Sequence, residues 1–356
     1  MSKPLVSICL PNLNNLPYLA ERVDTILQQT YTNWELIVSD NYSDDGAWPF
    51  FERLAKDDAR VRIAQAPRKG MYENWNCCIR RARGKYVYIA TSDDTMATDC
   101  LEKLVDALER HPECDLAHCR LLAINADGTR RPNLWSRLSM FAKSSGDLFP
   151  RMHIRRAPYD GLLHVIGEIV YLSITQLLIR RSLFTKIGLF ESRWGSIGDF
   201  NWEMRAGLVA NTVHVPETWG GFRVHEKQAT ARVEFESREH LAKIEEMIDD
   251  ALVRSQGMMR VEVNRNSAPT WWKDAYEHRR ITAGLADCRS AFRRKMFLLR
   301  EILRGSRMAG SHVCSRLFGH PRPPYVEPRR VQKWLSGLGM PSVLPAAEGS
   351  LVKEAN

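Results

Sequence analysis

The sequence has no run of about twenty apolar residues, the length that a helix needs to cross a bilayer. Its first residues, Met1-Ser2-Lys3-Pro4, lead directly into an apolar segment, so we expect no secretory signal peptide. The eight cysteines include no Cys-x-x-Cys spacing, and no histidine pair lies beside them, which argues against a zinc site. These features predict a cytoplasmic protein with reduced thiols.

Acidic residues are in the minority, with 42 Asp and Glu against 51 Lys and Arg, and the formal net charge is +9. A basic balance favours anionic partners such as sugar nucleotides, acidic lipid surfaces and nucleic acid. The basic residues carry no recognised nucleic-acid-reading motif, so we expect no specific nucleic-acid partner. A length of 356 residues predicts one large domain with an appendage, or two domains.

Apolar segments alternate with helical periodicity through the first third of the chain. This pattern predicts an α/β fold with a doubly wound, mostly parallel sheet. Neither the helical nor the strand periodicity continues from about 135 to 161, where we expect an insertion or lid on the acceptor side. Amphipathic helices then predict a helical region at 236–340, after a catalytic domain at 1–235 and before a loose tail at 341–356.

Acidic residues follow two of the apolar segments. Asp93 and Asp94 close the segment 85–90, and Asp40 closes 34–39. Ligands bind at the carboxyl edge of open α/β sheets, and Mg²⁺ or Mn²⁺ takes carboxylate oxygens together with substrate phosphates. Asp40 can accept a hydrogen bond from the N–H of uracil or guanine. For all three residues an Asx turn or helix cap is the alternative.

An ordered set of motifs resembles a known family. Pro11-Asn12-Leu13-Asn14, Gln28-Gln29-Thr30-Tyr31 and the segment from Val38 to Gly46 are followed by Gly70 and Asn74-Trp75-Asn76. This set resembles the inverting glycosyltransferase family 2, which has the Rossmann-like GT-A fold, over roughly residues 4 to 230. The resemblance implies a nucleotide-sugar donor, with a UDP-sugar favoured, and a divalent metal, Mn²⁺ or Mg²⁺.

The resemblance also implies roles for individual residues. Asp93 and His225 are the expected metal ligands, and Asp199 is the expected general base. For Asp199 the alternative is a helix N-cap, a position that would lower its pKa. Asn74 and Asn76 lie on opposite faces of a predicted helix, so we expect only one to reach the nucleotide. The expected donor-binding residues are Pro11, Asn12, Leu13, Asn14, Asp40, Arg68, Asn74, Ser92, Asp93 and Asp94.

Two functions stay open. The resemblance implies inverting transfer of a single sugar to a glycan or lipid-linked acceptor in surface polysaccharide biosynthesis, because the Q-x-x-R-W motif of processive synthases is absent. The alternative is a nucleotide-binding or scaffold protein that has lost catalysis, since Thr91 and Gly198 stand where the family has acids. The basic helices near 289–300 favour peripheral contact with the inner face of the membrane, or packing on the catalytic domain or on a second subunit of a homo-oligomer.

Overall fold

The computed structural model describes residues 3–131, 148–228, 237–263, 269–288, 290–306, 309–310 and 328–346. Three predicted features lie partly or wholly outside these ranges. They are the domain boundary at 235, the insertion up to residue 147 and the tail from residue 347 onward.

The first part of the chain alternates strands and helices, as predicted. The elements are β1 (Val6–Asn12), α1 (Leu16–Leu27), β2 (Trp34–Asp40), α2 (Ala47–Asp57), β3 (Val61–Gln65), α3 (Met71–Arg81), β4 (Tyr86–Ile89), β5 (Thr95–Met96), α4 (Cys100–Arg110), β6 (Leu116–Asn125) and β7 (Arg130–Arg131).

The second part is richer in helices. Its elements are β8 (His153–Arg155), α5 (Tyr159–Val165), a 3₁₀ turn (Ile174–Gln176), β9 (Leu177–Arg180), α6 (Ser182–Ile187), a second 3₁₀ segment (Ser192–Ile197), α7 (Gly198–Val209), β10 (Thr212–Val224), α8 (Arg238–Ser255), α9 (Thr270–Ala286), α10 (Ala291–Leu303), α11 (Pro328–Gly337) and β11 (Val343–Pro345).

Within the described residues the strands form one sheet in the order β11-β8-β10-β6-β9-β4-β1-β2-β3, with β5 on β10 and β7 on β6. Strands β3, β2, β1 and β4 are parallel, and β6 is parallel to β10. Strand β9 runs antiparallel between β4 and β6. The predicted α/β fold is confirmed, and the carboxyl ends of β1, β2 and β4 share one edge.

Both faces of the sheet are buried. Along β1, the side chains of Val6, Ile8 and Leu10 enter one core and Cys9 enters the other. This alternation follows from the period of two along a strand. Continuous apolar strands are therefore expected here, because helices cover both faces of the parallel half.

The segment 171–181 has the apolar run that is typical of one strand, but it is a strand only from Leu177 to Arg180. Local hydrogen bonds explain the difference. The Ser173 hydroxyl accepts from the Thr175 N–H, and the Gln176 side chain accepts from the Ser173 N–H at 3.2 Å. Such a capping box favours a helical turn over a strand ladder.

The part of the predicted insertion that the structure describes belongs to the core. Strand β8 pairs with β10 and β11, and α5 packs against α7. A Cβ atom on Gly161 would lie 2.4 Å from the Leu208 backbone nitrogen, so only glycine permits this helix contact. Residues 153–165 therefore form no lid. Strand β11 likewise gives order to residues that were expected in a loose tail.

Helices α8, α9 and α11 bury apolar side chains in the core that also holds α7. They contribute Met247, Ile248, Trp271, Trp272, Val331 and Leu335. Packing on the first domain is one of the three arrangements that the sequence analysis left open for the C-terminal helices. None of the helices in the described ranges has the length and apolar character to traverse a bilayer.

Candidate active site

Asp40 closes β2 directly opposite Asn12 at the end of β1. Its carboxylate accepts from the Asn12 side-chain amide at 2.8 Å and from the Ser43 hydroxyl and N–H at 2.6 and 2.9 Å. Asp40 is fully buried. This geometry is the Asx turn given above as the alternative, and direct contact of Asp40 with a base stays a prediction.

Two loops at this edge are held together by polar contacts. The Asn14 N–H donates to the Ser43 hydroxyl at 2.9 Å, and the Asp44 N–H donates to the Asn14 side chain at 3.0 Å. Between these contacts Leu13 and Tyr42 point outward, 43% and 53% exposed. Tyr42 has a φ of 52°, a left-handed conformation that costs a tyrosine about 1–3 kcal/mol. The exposed aromatic ring of Tyr42 was missed by the sequence analysis.

Arg68 and Asn74 also lie at this edge. The Arg68 guanidinium donates to the Asn41 and Tyr42 carbonyl oxygens at 2.8 and 2.5 Å, so it supports the β2 loop. Asn74, on α3, donates to the Asn12 carbonyl oxygen at 3.1 Å.

The remaining predicted donor-site residues near β1 and β4 are Pro11 and Ser92. Pro11 is buried in β1 opposite Ser39. Ser92 accepts from the Asn15 side chain at 2.7 Å, which ties the β4 end to the β1 loop. On α3, Asn76 bonds to the Phe190 carbonyl oxygen at 2.9 Å, on the face away from the sheet edge.

Asp93 and His225 form a pair beyond the end of β4. The His225 Nε2 lies 2.9 Å from a carboxylate oxygen of Asp93, and the Tyr18 ring packs on the imidazole with centroids 5.0 Å apart. The Asp93 side chain is 21% exposed, whereas that of His225 is 5% exposed. The two predicted metal ligands are thus brought together, although their role stays untested.

This pair fits a hard divalent cation that is shared with a diphosphate. The buried Nδ1 of His225 has no hydrogen-bond partner, so the ring has an uncommitted nitrogen. In the described part of the chain no group of three or more His, Cys, Asp or Glu side chains could hold a metal. A protein that supplies one carboxylate and one imidazole leaves positions for phosphate oxygens and water, as Mg²⁺ and Mn²⁺ sites commonly do.

Asp94 lies behind Asp93 and is buried. Its carboxylate accepts from the Arg223 N–H at 2.8 Å and from the Thr91 hydroxyl. Burial and the neighbouring Asp93 raise the pKa of Asp94 to about 7. Thr91, which stands where the family has an acid, therefore donates a hydrogen bond to Asp94. Asp93 is the more exposed acid of the pair. Direct contact between Asp94 and a donor stays a prediction.

Arg223, on β10, holds the backbone around Asp93 in place. Its Nε donates to the Asp93 carbonyl oxygen at 2.6 Å, and its Nη1 donates to the Asn125 carbonyl oxygen at 3.0 Å. A salt bridge of 2.5 Å joins it to Glu21. The sequence analysis gave Arg223 no role, although it stands two residues before His225.

Asp199 lies in the first turn of α7, after the N-cap residue Ile197. The Tyr72 hydroxyl donates to its Oδ1 at 2.9 Å, and the Phe200 N–H donates to the same oxygen at 3.0 Å. Burial raises the pKa of Asp199 despite these hydrogen bonds. Asp199 is therefore not the N-cap of the alternative interpretation, and desolvation outweighs the lowering of its pKa that a helix N-terminus produces.

Tyr72 explains the missing acid at position 198. A Cβ atom on Gly198 would lie 2.6 Å from the Tyr72 ring and from the Glu191 carbonyl oxygen. No side chain fits there, and the tyrosine occupies the space while it donates to Asp199. Glu203, one turn further along α7, is buried, and both burial and Asp199 raise its pKa. Neither Tyr72 nor Glu203 was predicted.

Removing the Tyr72 hydroxyl tests this arrangement. In Tyr72→Phe we expect the acid limb of the kcat/KM profile to move to higher pH, since the lost hydrogen bond stabilised the Asp199 carboxylate. At neutral pH the rate should fall only a few-fold. The measurement is the pH dependence of the sugar transfer that the resemblance implies. A variant with a lower rate and an unmoved acid limb would contradict the assigned contact.

Comparisons with known proteins establish the family and the fold of the chain. The model of the family described as "Glycosyl transferase family 2" matches residues 7–186, just over half of the chain. The chain belongs to this family. The putative teichuronic acid biosynthesis glycosyltransferase TuaG of Bacillus subtilis is 30% identical over 128 residues, which are 36% of this chain and 50% of TuaG. The uncharacterized glycosyltransferase EpsJ of the same organism is 30% identical over 35% of this chain and 36% of EpsJ.

This family member thus spans about a third to a half of the length of these curated relatives. Solved structures show the GT-A fold. The structure of S. aureus TarS in complex with UDP-GlcNAc superposes with a TM-score of 0.57 at 14% sequence identity. The match covers 94% of this chain and 92% of the TarS chain. The mannosyltransferase PcManGT from Pyrobaculum calidifontis, in complex with GDP-Man and Mn²⁺, has a TM-score of 0.51 at 17% identity, and the match covers 94% of this chain and 84% of the PcManGT chain.

Proposed function

We propose that the protein is an inverting glycosyltransferase that moves a single sugar from a nucleotide-diphosphate donor to a glycan or lipid-linked acceptor in surface polysaccharide biosynthesis. One observation carries the proposal. In a family 2 chain, the partly exposed Asp93 carboxylate lies 2.9 Å from His225 Nε2. Asp199 is held at 2.9 Å by Tyr72, on the same helix whose Asn74 donates to the Asn12 carbonyl oxygen at the end of β1.

The donor diphosphate binds beside Asp93 and His225. A Mn²⁺ or Mg²⁺ ion held by these two side chains would neutralise the negative charge of the leaving diphosphate. Arg223 holds the Asp93 backbone in position, and the Asp94 carboxylate accepts from the Arg223 N–H. The pKa of Asp94, raised to about 7 by burial and by Asp93, means that Asp94 carries a proton part of the time at neutral pH, which reduces the repulsion between the two acids.

Asp199 is the general base of the transfer step. Its carboxylate takes the proton of the acceptor hydroxyl as that oxygen bonds to the anomeric carbon. The bond between this carbon and the diphosphate oxygen breaks, and its electron pair leaves with the nucleoside diphosphate. A raised pKa suits this role, since a base is most effective when its pKa approaches the working pH.

The nucleoside end of the donor lies against the loops that follow β1 and β2. Asn12, Asn14, Asp40 and Arg68 fix these loops, and Leu13 with Tyr42 offers an exposed apolar and aromatic surface for a base. We favour a UDP-sugar, because a pyrimidine needs only a small platform. TarS was solved with UDP-GlcNAc and PcManGT with GDP-Man, so thermal-shift measurements with both nucleotides distinguish the two donor classes.

The variant Asp93→Asn tests the proposed donor site. We expect transfer to fall about a hundredfold or more, because the amide is a poor ligand for a hard cation. We also expect the Mn²⁺-dependent thermal stabilisation by nucleotide to disappear, which is a readout independent of turnover. Asp57→Asn, which alters an exposed carboxylate at the end of α2, is the matched control and should retain both properties.

A second candidate function is nucleotide binding without transfer. This alternative was suggested by Thr91 and Gly198, which stand where the family has acidic residues. The hydrogen bond from Thr91 to Asp94 and the Tyr72 ring over Gly198 give both positions a role, so the catalytic proposal is favoured. Metal-dependent nucleotide binding without turnover, across a panel of donors and acceptors, would support the binding protein instead. Undiminished turnover in both Asp93→Asn and Asp199→Asn would reject the assigned site.

A further inference from the structure

Helix α10 presents an apolar stripe to solvent. Phe292, Met296, Leu299 and Leu303 are 72%, 49%, 49% and 80% exposed. Their spacing of four, three and four residues places them within about 60° of one another around the helix, at 100° per residue. The stripe extends over roughly 16 Å of helix length. Exposed large apolar side chains in such a contiguous row mark an interaction surface.

The opposite face of α10 is anchored to the protein. Glu301, half a turn away from the stripe, is buried and pairs with Arg280 of α9 at 2.6 Å and with Arg304 at 3.1 Å. Leu298 and Phe297 pack into a small core with α9, where the Phe297 ring leaves room only for Gly284. The helix is therefore held in one orientation, with its apolar stripe facing outward.

Basic side chains border the stripe on both sides. Arg293 and Arg300 lie along one border and Lys295 along the other, and all three are exposed. Glu301 is the only acid in the helix, and it faces inward. An apolar row between cations matches an anionic bilayer surface, where apolar side chains enter the acyl boundary and the cations meet lipid phosphates.

We infer that α10 docks the protein on an anionic lipid surface through this stripe. A second copy of the chain fits less well, because self-pairing would bring the same cations together. A protein groove that wraps a helix also fits less well, because the far side of α10 is packed on α9. Docking of α10 on lipid is independent of the proposed transfer reaction.

Sedimentation of the full-length protein with vesicles tests this inference. We expect binding to test vesicles that contain about 30% phosphatidylglycerol in phosphatidylcholine, and little binding to vesicles of phosphatidylcholine alone. The double variant Phe292→Asp/Leu299→Glu should bind at least tenfold more weakly, and each of Arg293→Gln, Lys295→Gln and Arg300→Gln should weaken binding about fivefold. Val253→Glu, at a 69% exposed apolar position on α8, is the matched control.

Circular dichroism and thermal melting should be the same for all these surface variants. Transfer to a water-soluble acceptor should also be unchanged, so failure of docking is distinguishable from failure of the proposed enzyme. Equal binding of the wild type and the double variant would overturn the inference. A dimer in light scattering that the double variant abolishes, without vesicle binding by the wild type, would overturn it in favour of a second copy.

Discussion

Replacing Asp199 by asparagine is expected to lower kcat for sugar transfer by about 10²–10⁴-fold, the usual contribution of a general base. An amide keeps the size of the carboxylate and can still accept from the Tyr72 hydroxyl and the Phe200 N–H. It cannot take a proton from the acceptor. Donor affinity should therefore remain within a few-fold of wild type, as measured by nucleotide titration, while single-turnover transfer is nearly lost.

The pH profile of the wild type gives a second measurement of the same assignment. In the proposed mechanism the Asp199 carboxylate must be ionised, so we expect the rate to fall as the pH drops through its pKa. Because burial raises this pKa, the acid limb should lie above the ordinary range of an aspartate. Asp199→Glu, which keeps a base but displaces it, should retain more activity than Asp199→Asn. Equal activity of Asp199→Asn and wild type would remove Asp199 from the mechanism.

The sequence was most informative where chemistry follows directly from topology. Asp40 and Asp93 each close an apolar segment, and parallel strands bring such ends to one edge without further information. The pairing of Asp93 with His225, 132 residues away, came instead from the ordered family motifs. No local sequence pattern links these two residues, so without the family motifs His225 has no signal that separates it from a structural histidine.

Other features depend on packing that has no local signal. Tyr72 reaches Asp199 only because α3 lies beside α7, and Gly198 makes room for the ring. The raised pKa of Asp199 could not be predicted from the sequence, because the burial that causes it is a tertiary property. The segment around residues 153–165 looked irregular because its polar residues have partners inside the core rather than in solvent.

Those partners make Asp160 the position at which we expect the largest loss of stability. Arg155 and Asp160 are buried, with the Arg155 Nε 2.8 and 3.0 Å from the two carboxylate oxygens, and the Tyr171 hydroxyl donates to Asp160 at 2.6 Å. Burial also lowers the pKa of His153, to about 4, and that of His118. These histidines are neutral at pH 7, so Asp160 is the counter-charge of the guanidinium.

Asp160→Ala should lower the free energy of unfolding by about 3–5 kcal/mol, because it leaves a buried cation without its carboxylate. This is a large part of the ~5–15 kcal/mol that stabilises a typical domain, so urea denaturation should show a much earlier transition. Arg155→Met/Asp160→Leu, which removes both charges, should cost less than the single change. Asp106→Ala, which breaks the exposed pair with Arg110, should cost less than about 1 kcal/mol. A double variant that is less stable than Asp160→Ala would contradict the argument, since the penalty would then come from lost packing rather than from the unpaired charge.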